Sequence, residues 1–281
     1  MSPGEPNTPP TEPVIPLSAI FCADDADVVI RALGTCDFRV HKIVLSLVSP
    51  IFKDMFTIPQ PPTNTPSALP HVDVHEPAET WEHILRAIYH MPNPVIDDLN
   101  DLESLLLAAK KYEMQFILDS QEKNFRDIRF IQRDPLHLYA IACACGLEDQ
   151  AKYVARNAES PEVIRRPQGD DLKGLTLASH RRLITFLFER DTELHPILEE
   201  GWKLFYLSCH CHKERGASYG KVKEKLKMPY IPMEEVYFGA LEERPLSTCG
   251  WPRCMAAVSN VKEFLERMFE ERNRVCDKFM W

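Results

Sequence analysis

The chain has no excess of basic residues and contains little glycine. It carries 33 lysines and arginines against 42 aspartates and glutamates, and only 10 of its 281 residues are glycine. Proteins that bind a phosphate backbone do so through a basic patch, so the net charge of −9 argues against nucleic acid as a partner. The lysines between residues 221 and 227 alternate with other residues, a pattern typical of a solvated helix face.

Long apolar runs are also missing. No segment approaches the roughly 20 consecutive apolar residues that a membrane helix needs, so we expect no membrane partner. Residues 1–17 are rich in proline and have neither a basic start nor an apolar core, which predicts a disordered tail rather than a signal peptide. We therefore expect an intracellular protein. No uninterrupted basic run decides between nucleus and cytoplasm.

Signatures of catalysis are scarce. The sequence contains no glycine-rich phosphate loop and no His-Glu-x-x-His motif. A thiol enzyme built on Cys209 or Cys211 is the weakest hypothesis, because a cysteine at the C-terminal end of a helix faces the negative end of the helix dipole. We therefore predict that the protein is not an enzyme and needs no cofactor for chemistry.

The cysteines are scattered rather than paired. Their number, nine, is odd, so we expect reduced thiols instead of a disulfide framework. One cluster between residues 209 and 212 has Cys-x-x-His spacing, and two later cysteines can complete a tetrahedral set that suits structural zinc. The candidate ligands are Cys209, His212, Cys249 and Cys254. His210 and Cys211 are alternative ligands, and ordinary packing or surface positions are the alternative to any metal site.

What the sequence does contain is a pattern for a β-hairpin followed directly by two short helices. Residues 28–30 are β-branched and bounded by charges, and Gly34 to Asp37 supply turn chemistry before Phe38 and Val40, which alternate with a polar residue. From Ile43 the apolar residues recur at helical spacing. Ser49 can cap a second helix whose first residue is Pro50, where a missing N–H is harmless.

These residues also carry a resemblance to a known family. Asp-Val-Val-Ile at 27–30, followed by Phe-x-Val-His-Lys-x-Val-Leu-x-x-x-Ser-Pro-x-Phe-x-x-Met-Phe at 38–56, resembles the BTB/POZ domain. Residues 71–75 look like its third strand. Two further helices are predicted by apolar stripes at helical spacing, formed by Trp81, Ile84, Leu85, Ile88 and by Leu102, Leu105, Leu106, Ala109. The resemblance implies an α+β domain over residues 18–128, with a small mixed sheet flanked by helices.

Two segments depart from the family pattern. Residues 89–94 read Tyr-His-Met-Pro-Asn-Pro, where the family usually has a Tyr-Thr-Gly turn. Residues 57–70 form a proline-rich insertion, where many relatives carry an acidic segment that helps to contact cullin scaffolds. The second departure favours a scaffold over a cullin-binding adaptor.

The resemblance also implies a function and candidate site residues. In the family, an aspartate and a basic residue line a charged groove at a dimer interface, and the matching positions here are Asp27 and Lys42, with His41 beside them. These residues either receive a partner peptide or only fix the hairpin against the helix. We expect a homodimer formed through the first helix and the neighbouring strand, acting as a scaffold for an unidentified protein. The alternative is a substrate adaptor of a cullin ubiquitin ligase.

The second half of the chain reads as helical. After Asp134-Pro135, the residues to Gly146-Leu147 and a helix over 148–157 resemble the helical region that follows the BTB domain in fungal BTB proteins. We predict this helical pair over 129–160, a linker rich in proline, glycine and aspartate over 161–174, and a helical domain with the candidate zinc site over 175–281. Its helices are expected at 175–190, 196–209 and 255–277.

Overall fold

The computed structural model describes residues 15–58, 69–158 and 174–207, together with residues 263, 266–267 and 269–278. These residues fall into two compact units that divide between Gln121 and Glu122. The first unit contains all the described strands and is an α+β unit, whereas the second is helical in its described part. The candidate zinc ligands at 209, 212, 249 and 254, and the alternatives at 210 and 211, lie outside the described residues.

A mixed four-stranded sheet organises the first unit. Its strands lie in the order β1-β3-β2-β4 and span Leu17–Cys22 (β1), Val28–Ala32 (β2), Cys36–Val40 (β3) and His71–Val74 (β4). Strands β2 and β3 form the predicted antiparallel hairpin, while β1 runs parallel to β3 and β4 runs parallel to β2. The sequence had given no signal for β1, whose residues do not alternate cleanly and whose register is irregular.

The hairpin follows the predicted alternation of apolar and polar residues. Val28, Ile30 and Ala32 of β2 are buried, as are Phe38 and Val40 of β3. On the other face Arg31 and Asp37 are paired across the strands, and their side chains form a two-bond ion pair at 2.8 and 2.9 Å. The turn covers residues 33–35, and Leu33 and Gly34 in it have positive φ. The predicted turn segment from Gly34 to Asp37 was therefore placed too late, since residues 36 and 37 belong to β3.

Two short helices follow the hairpin, as predicted. Helix α1 spans Lys42–Val48 and α2 spans Pro50–Thr57. The fully buried hydroxyl of Ser49 accepts a hydrogen bond from the backbone N–H of Phe52 at 3.2 Å, which caps α2. The same hydroxyl donates to the carbonyl of Tyr112 at 2.6 Å, so the cap also fastens α2 to a distant part of the unit.

Three further helices complete the first unit: α3 (Ala78–Ile88), α4 (Leu99–Lys111) and α5 (Gln115–Ser120). Both predicted apolar stripes, on α3 and on α4, are buried. At the centre of the core, the rings of Phe52, Trp81 and Tyr112 pack together, with centroids 4.9 to 5.8 Å apart. Each such aromatic contact adds about 0.5–1.5 kcal/mol to the stability gained from buried area.

The second unit begins with four helices: α6 (Glu122–Phe125), α7 (Ile128–Arg133), α8 (Pro135–Cys145) and α9 (Glu148–Asn157). The carboxylate of Asp134 caps α8 by accepting from the N–H of His137 at 2.9 Å. Gly146 ends α8 in the left-handed conformation, with a φ of 74°. These signals set the two ends of α8, and the helix is buried on nearly every face.

A long helix, α10, spans Leu177–Leu207 and runs through Pro196. The prediction of two helices separated before Pro196 was therefore wrong. A proline costs a helix one hydrogen bond, that to the carbonyl four residues earlier, here at Thr192. Thr192 is exposed, so water can satisfy that carbonyl without ending the helix.

The described residues near the end of the chain are also helical, at 263, 266–267 and 269–278. Glu263 and Arg267, four residues apart, form an ion pair at 3.4 Å with both side chains exposed. Within the helix predicted at 255–277, residues 255–262, 264–265 and 268 lie outside the described residues. No helix in the described part of the chain combines the length and the apolar character required to cross a membrane.

Candidate functional site

Two elements of the first unit carry exposed apolar side chains. On α1, Ile43 is 65% exposed and Leu47 is 77% exposed. These residues are four apart and so share one face of the helix, while Leu45 is the residue of α1 that is fully buried. On β1, Leu17 and Ile20 are exposed as well. Although single exposed apolar residues are ordinary, an exposed pair on consecutive turns of one helix is a candidate contact surface.

Asp27 caps the start of α1 from outside the helix. Its carboxylate accepts a hydrogen bond from the backbone N–H of Lys42 at 2.7 Å. The residue at the conventional capping position, His41, makes no side-chain capping bond of its own. Asp27 is itself held at the end of the hairpin, because its N–H donates to the carbonyl of Val40 at 3.2 Å. The hairpin therefore supplies the helix cap that the local sequence lacks.

His41 is held by the phenol of Tyr89, the residue that ends α3. The backbone N–H of His41 donates to the Tyr89 hydroxyl at 3.1 Å, and Nδ1 of the imidazole lies 2.9 Å from the same oxygen. Nε2, the other ring nitrogen, lies 3.4 Å from the carboxylate of Asp25.

The ring of Tyr89 extends these contacts to β1. It lies 5.7 Å from the ring of Phe21 on β1 and 6.1 Å from the imidazole of His41. Burial raises the pKa of Tyr89, and the negative charges of Asp27 and Asp25 raise it further, against the lowering effect of the hydrogen bond from His41. The phenol is therefore neutral at physiological pH.

The side chain of Lys42 is directed elsewhere. Its ammonium group lies 5.9 Å from the centroid of the Phe56 ring on α2, in a cation–π position. The structure thus brings Asp27, His41 and Lys42 together at the start of α1, with Asp27 bound to the backbone of Lys42. Whether these residues receive a partner peptide remains a prediction. The sequence does not predict that Tyr89 contacts His41. Tyr89 is the first residue of the segment that departs from the family turn.

The described part of the chain offers no metal site. No group of three or more histidine, cysteine, aspartate or glutamate side chains in it is placed to hold a metal ion. The candidate ligands Cys209, His212, Cys249 and Cys254 are not among the described residues. Structural zinc at those residues therefore stays a prediction.

The described thiols have the character of packing residues. Burial is the main cause that raises the pKa of Cys36, Cys143 and Cys276, which makes these cysteines poor nucleophiles. Cys22, by contrast, is exposed.

Two sequence features that bear on catalysis lie outside the described residues. The first is the pair Cys209 and Cys211. The second is the segment Gly216-Ala217-Ser218-Tyr219-Gly220, which has Gly-x-Ser-x-Gly spacing. That spacing indicates a nucleophilic serine only on a strand-to-helix turn with triad partners.

Comparison with known protein families identifies one segment of the chain. The family model described as the BTB/POZ domain matches residues 18–128. A search of curated proteins finds no match to the chain. Apart from Leu17 at the start of β1, the matched residues contain the four-stranded mixed sheet, helices α1 to α5 and the cluster of Asp25, Asp27, His41 and Tyr89. Residues 18–128 therefore form a BTB/POZ domain, a domain whose general role is protein–protein interaction and not catalysis.

Proposed function

We propose that this protein is a self-associating scaffold, in which two copies pair through α1 and β1 of the BTB/POZ domain. The observation that carries the proposal is the exposure of Ile43 and Leu47 on one face of α1. Leu17 and Ile20 add exposed apolar surface on β1. A second copy is the natural occupant of this surface, because BTB domains associate with one another and a symmetric dimer buries the same patch on both chains.

The cluster at the start of α1 supports the proposal. A helix of seven residues is not stable alone in water, so α1 depends on tertiary contacts for its shape. Asp27 and Tyr89 provide such contacts, and both act on the backbone at the first turn. They leave the outer face of α1 free to carry apolar side chains. A preformed, rigid face loses little conformational entropy on binding.

Light scattering over a concentration series tests the proposal directly. We expect the full-length protein to be a dimer, and we expect Leu47→Glu to shift it to monomer, with a dissociation constant raised about thirtyfold or more. A central contact residue commonly contributes about 2 kcal/mol or more to an interface, which corresponds to that factor. Val95→Glu is the matched control, since Val95 is similarly exposed, at 73%, but lies after α3 and outside α1 and β1.

A wild-type protein that remains monomeric at high micromolar concentration would refute self-association. If Leu47→Glu and Val95→Glu weaken dimerisation equally, the interface does not lie on α1. The effect would then be a general one of added charge.

The scaffold role is favoured over the role of a cullin adaptor. The reason is the proline-rich insertion at 57–70, which stands where many relatives carry an acidic segment. Titration of the purified protein with a recombinant cullin separates the two roles. We expect no binding at micromolar concentration. Binding at micromolar affinity or better would reverse the order and make the adaptor the leading function.

A further inference from the structure

One phenol connects the two elements of the proposed contact surface to the rest of the domain. The Tyr89 hydroxyl is bonded to the backbone and the imidazole of His41, which directly precedes α1, at 3.1 and 2.9 Å. The ring of Tyr89 packs on Phe21 of β1. Tyr89 itself is anchored, because it ends α3 and its N–H donates to the carbonyl of Leu85, a fully buried residue.

We propose that Tyr89 is a positioning residue for self-association: its hydroxyl fixes the first turn of α1 relative to β1 and α3. The inference rests on the proposed self-association through α1. It goes further by assigning control of the surface to a residue that belongs to neither α1 nor β1.

The geometry of α1 shows why a single hydroxyl matters. The helix has two anchors at its start, Asp27 on the N–H of Lys42 and Tyr89 on the N–H of His41. These are consecutive N–H groups, and no side chain within the helix caps them. His41 is half-buried. Without the Tyr89 hydroxyl, the N–H and the Nδ1 of His41 lose this hydrogen-bond partner. Since α1 is short, a change at its first turn alters the direction in which Ile43 and Leu47 project.

The variant Tyr89→Phe tests this inference because it keeps the ring on Phe21 and removes only the hydroxyl. We expect its dimer dissociation constant to rise about fivefold, the effect of one net hydrogen bond. We also expect faster hydrogen exchange at the amides of residues 41–45. Tyr112→Phe is the matched control, since it also removes a phenol hydroxyl from a hydrogen bond in this domain, that to Glu76 at 3.0 Å. Tyr112→Phe should leave the dimer dissociation constant and the exchange rates at residues 41–45 unchanged.

The outcomes separate this inference from the proposed function. A monomeric wild type would refute self-association, and the exchange rates would still decide whether Tyr89 holds α1. Unchanged exchange at residues 41–45 together with unchanged dimerisation in Tyr89→Phe would overturn the inference while the scaffold proposal stands. Equal weakening of the dimer by Tyr89→Phe and Tyr112→Phe would also overturn it, because the effect would then reflect general loss of stability.

Discussion

The carboxylate of Asp27 and the backbone N–H of Lys42 lie 2.7 Å apart, so a residue of the hairpin caps a helix that begins fifteen positions later. The family resemblance placed these two residues in a charged groove. The observed bond is to the main chain of Lys42 and not to its ammonium group. The contribution of Asp27 to stability can therefore be separated from any contribution of its charge to partner binding.

Capping and charge at Asp27 are separated by two substitutions. Asp27→Ala should lower the free energy of unfolding by about 1 kcal/mol, the usual cost of losing a cap. Asp27→Asn should lower the free energy of unfolding by only about 0.3 kcal/mol, because an asparagine oxygen caps a helix nearly as well as a carboxylate. Urea denaturation of both variants measures the difference. If Asp27→Asn costs as much as Asp27→Ala, the negative charge and not the cap is what matters.

A larger loss is expected at Ser49. Its buried hydroxyl accepts from Phe52 N–H and donates to the carbonyl of Tyr112, so Ser49→Ala removes a cap and leaves a buried carbonyl without this partner. We expect a loss of about 2 kcal/mol in the free energy of unfolding. Thr57→Ala, which removes an exposed hydroxyl bonded to the Asp54 carbonyl, is the control and should cost less than about 0.5 kcal/mol. Equal losses would contradict the assigned role of Ser49.

Glu76 makes the stability of the domain depend on pH. Its side chain is 14% exposed and accepts hydrogen bonds from Lys111 at 2.7 Å, Tyr112 at 3.0 Å and Trp81 at 3.4 Å. Burial raises the pKa of Glu76, but the hydrogen bonds from Lys111 and Tyr112 outweigh it and leave the pKa below its usual value. Because the folded pKa is lowered, the contribution of Glu76 is present above the unfolded value of about 4.3 and is lost as the pH falls through the folded pKa.

The variant Glu76→Gln tests this dependence. At pH 7 it should lower the free energy of unfolding by about 1.5 kcal/mol, the contribution of a hydrogen bond to a charged group. The difference from wild type should shrink as the pH falls below about 4.3. Glu82→Gln is the control, since Glu82 belongs to a partly exposed pair with Arg86 on one helix and should cost about 0.5 kcal/mol or less. A difference that does not change with pH would show that the ionised form of Glu76 is not the stabilising one.

Elemental analysis decides the predicted zinc site. If Cys209, His212, Cys249 and Cys254 are the ligands, the purified protein should contain about one zinc per chain, because four protein ligands form a closed structural site. Cys249→Ser should lose the metal, whereas Cys22→Ser, at an exposed cysteine of the first unit, should keep it. A protein without zinc, or one in which Cys249→Ser retains the full amount, would rule out this ligand set.

Local signals in the sequence predicted much of the secondary structure. Ser49 and Pro50 at the start of α2, and Asp134, Pro135 and Gly146 around α8, are capping residues whose effect extends over one helical turn. The apolar stripes on α3 and α4 were likewise readable, since helical spacing alone places them on one face. A prediction failed where the outcome depended on the surroundings: helix α10 passes through Pro196 instead of ending before it.

The sequence by itself determined the hairpin, the order of the first helices and the family resemblance, because turn chemistry, capping and periodicity act between residues close in the chain. Only the tertiary structure decided which residues lie next to the candidate surface. Tyr89 meets His41 across 48 positions, and the exposure of Ile43 and Leu47 depends on which face of α1 packs on the domain. Apolar spacing shows that a helix has an apolar face, but whether that face is buried or exposed depends on the elements packed around it.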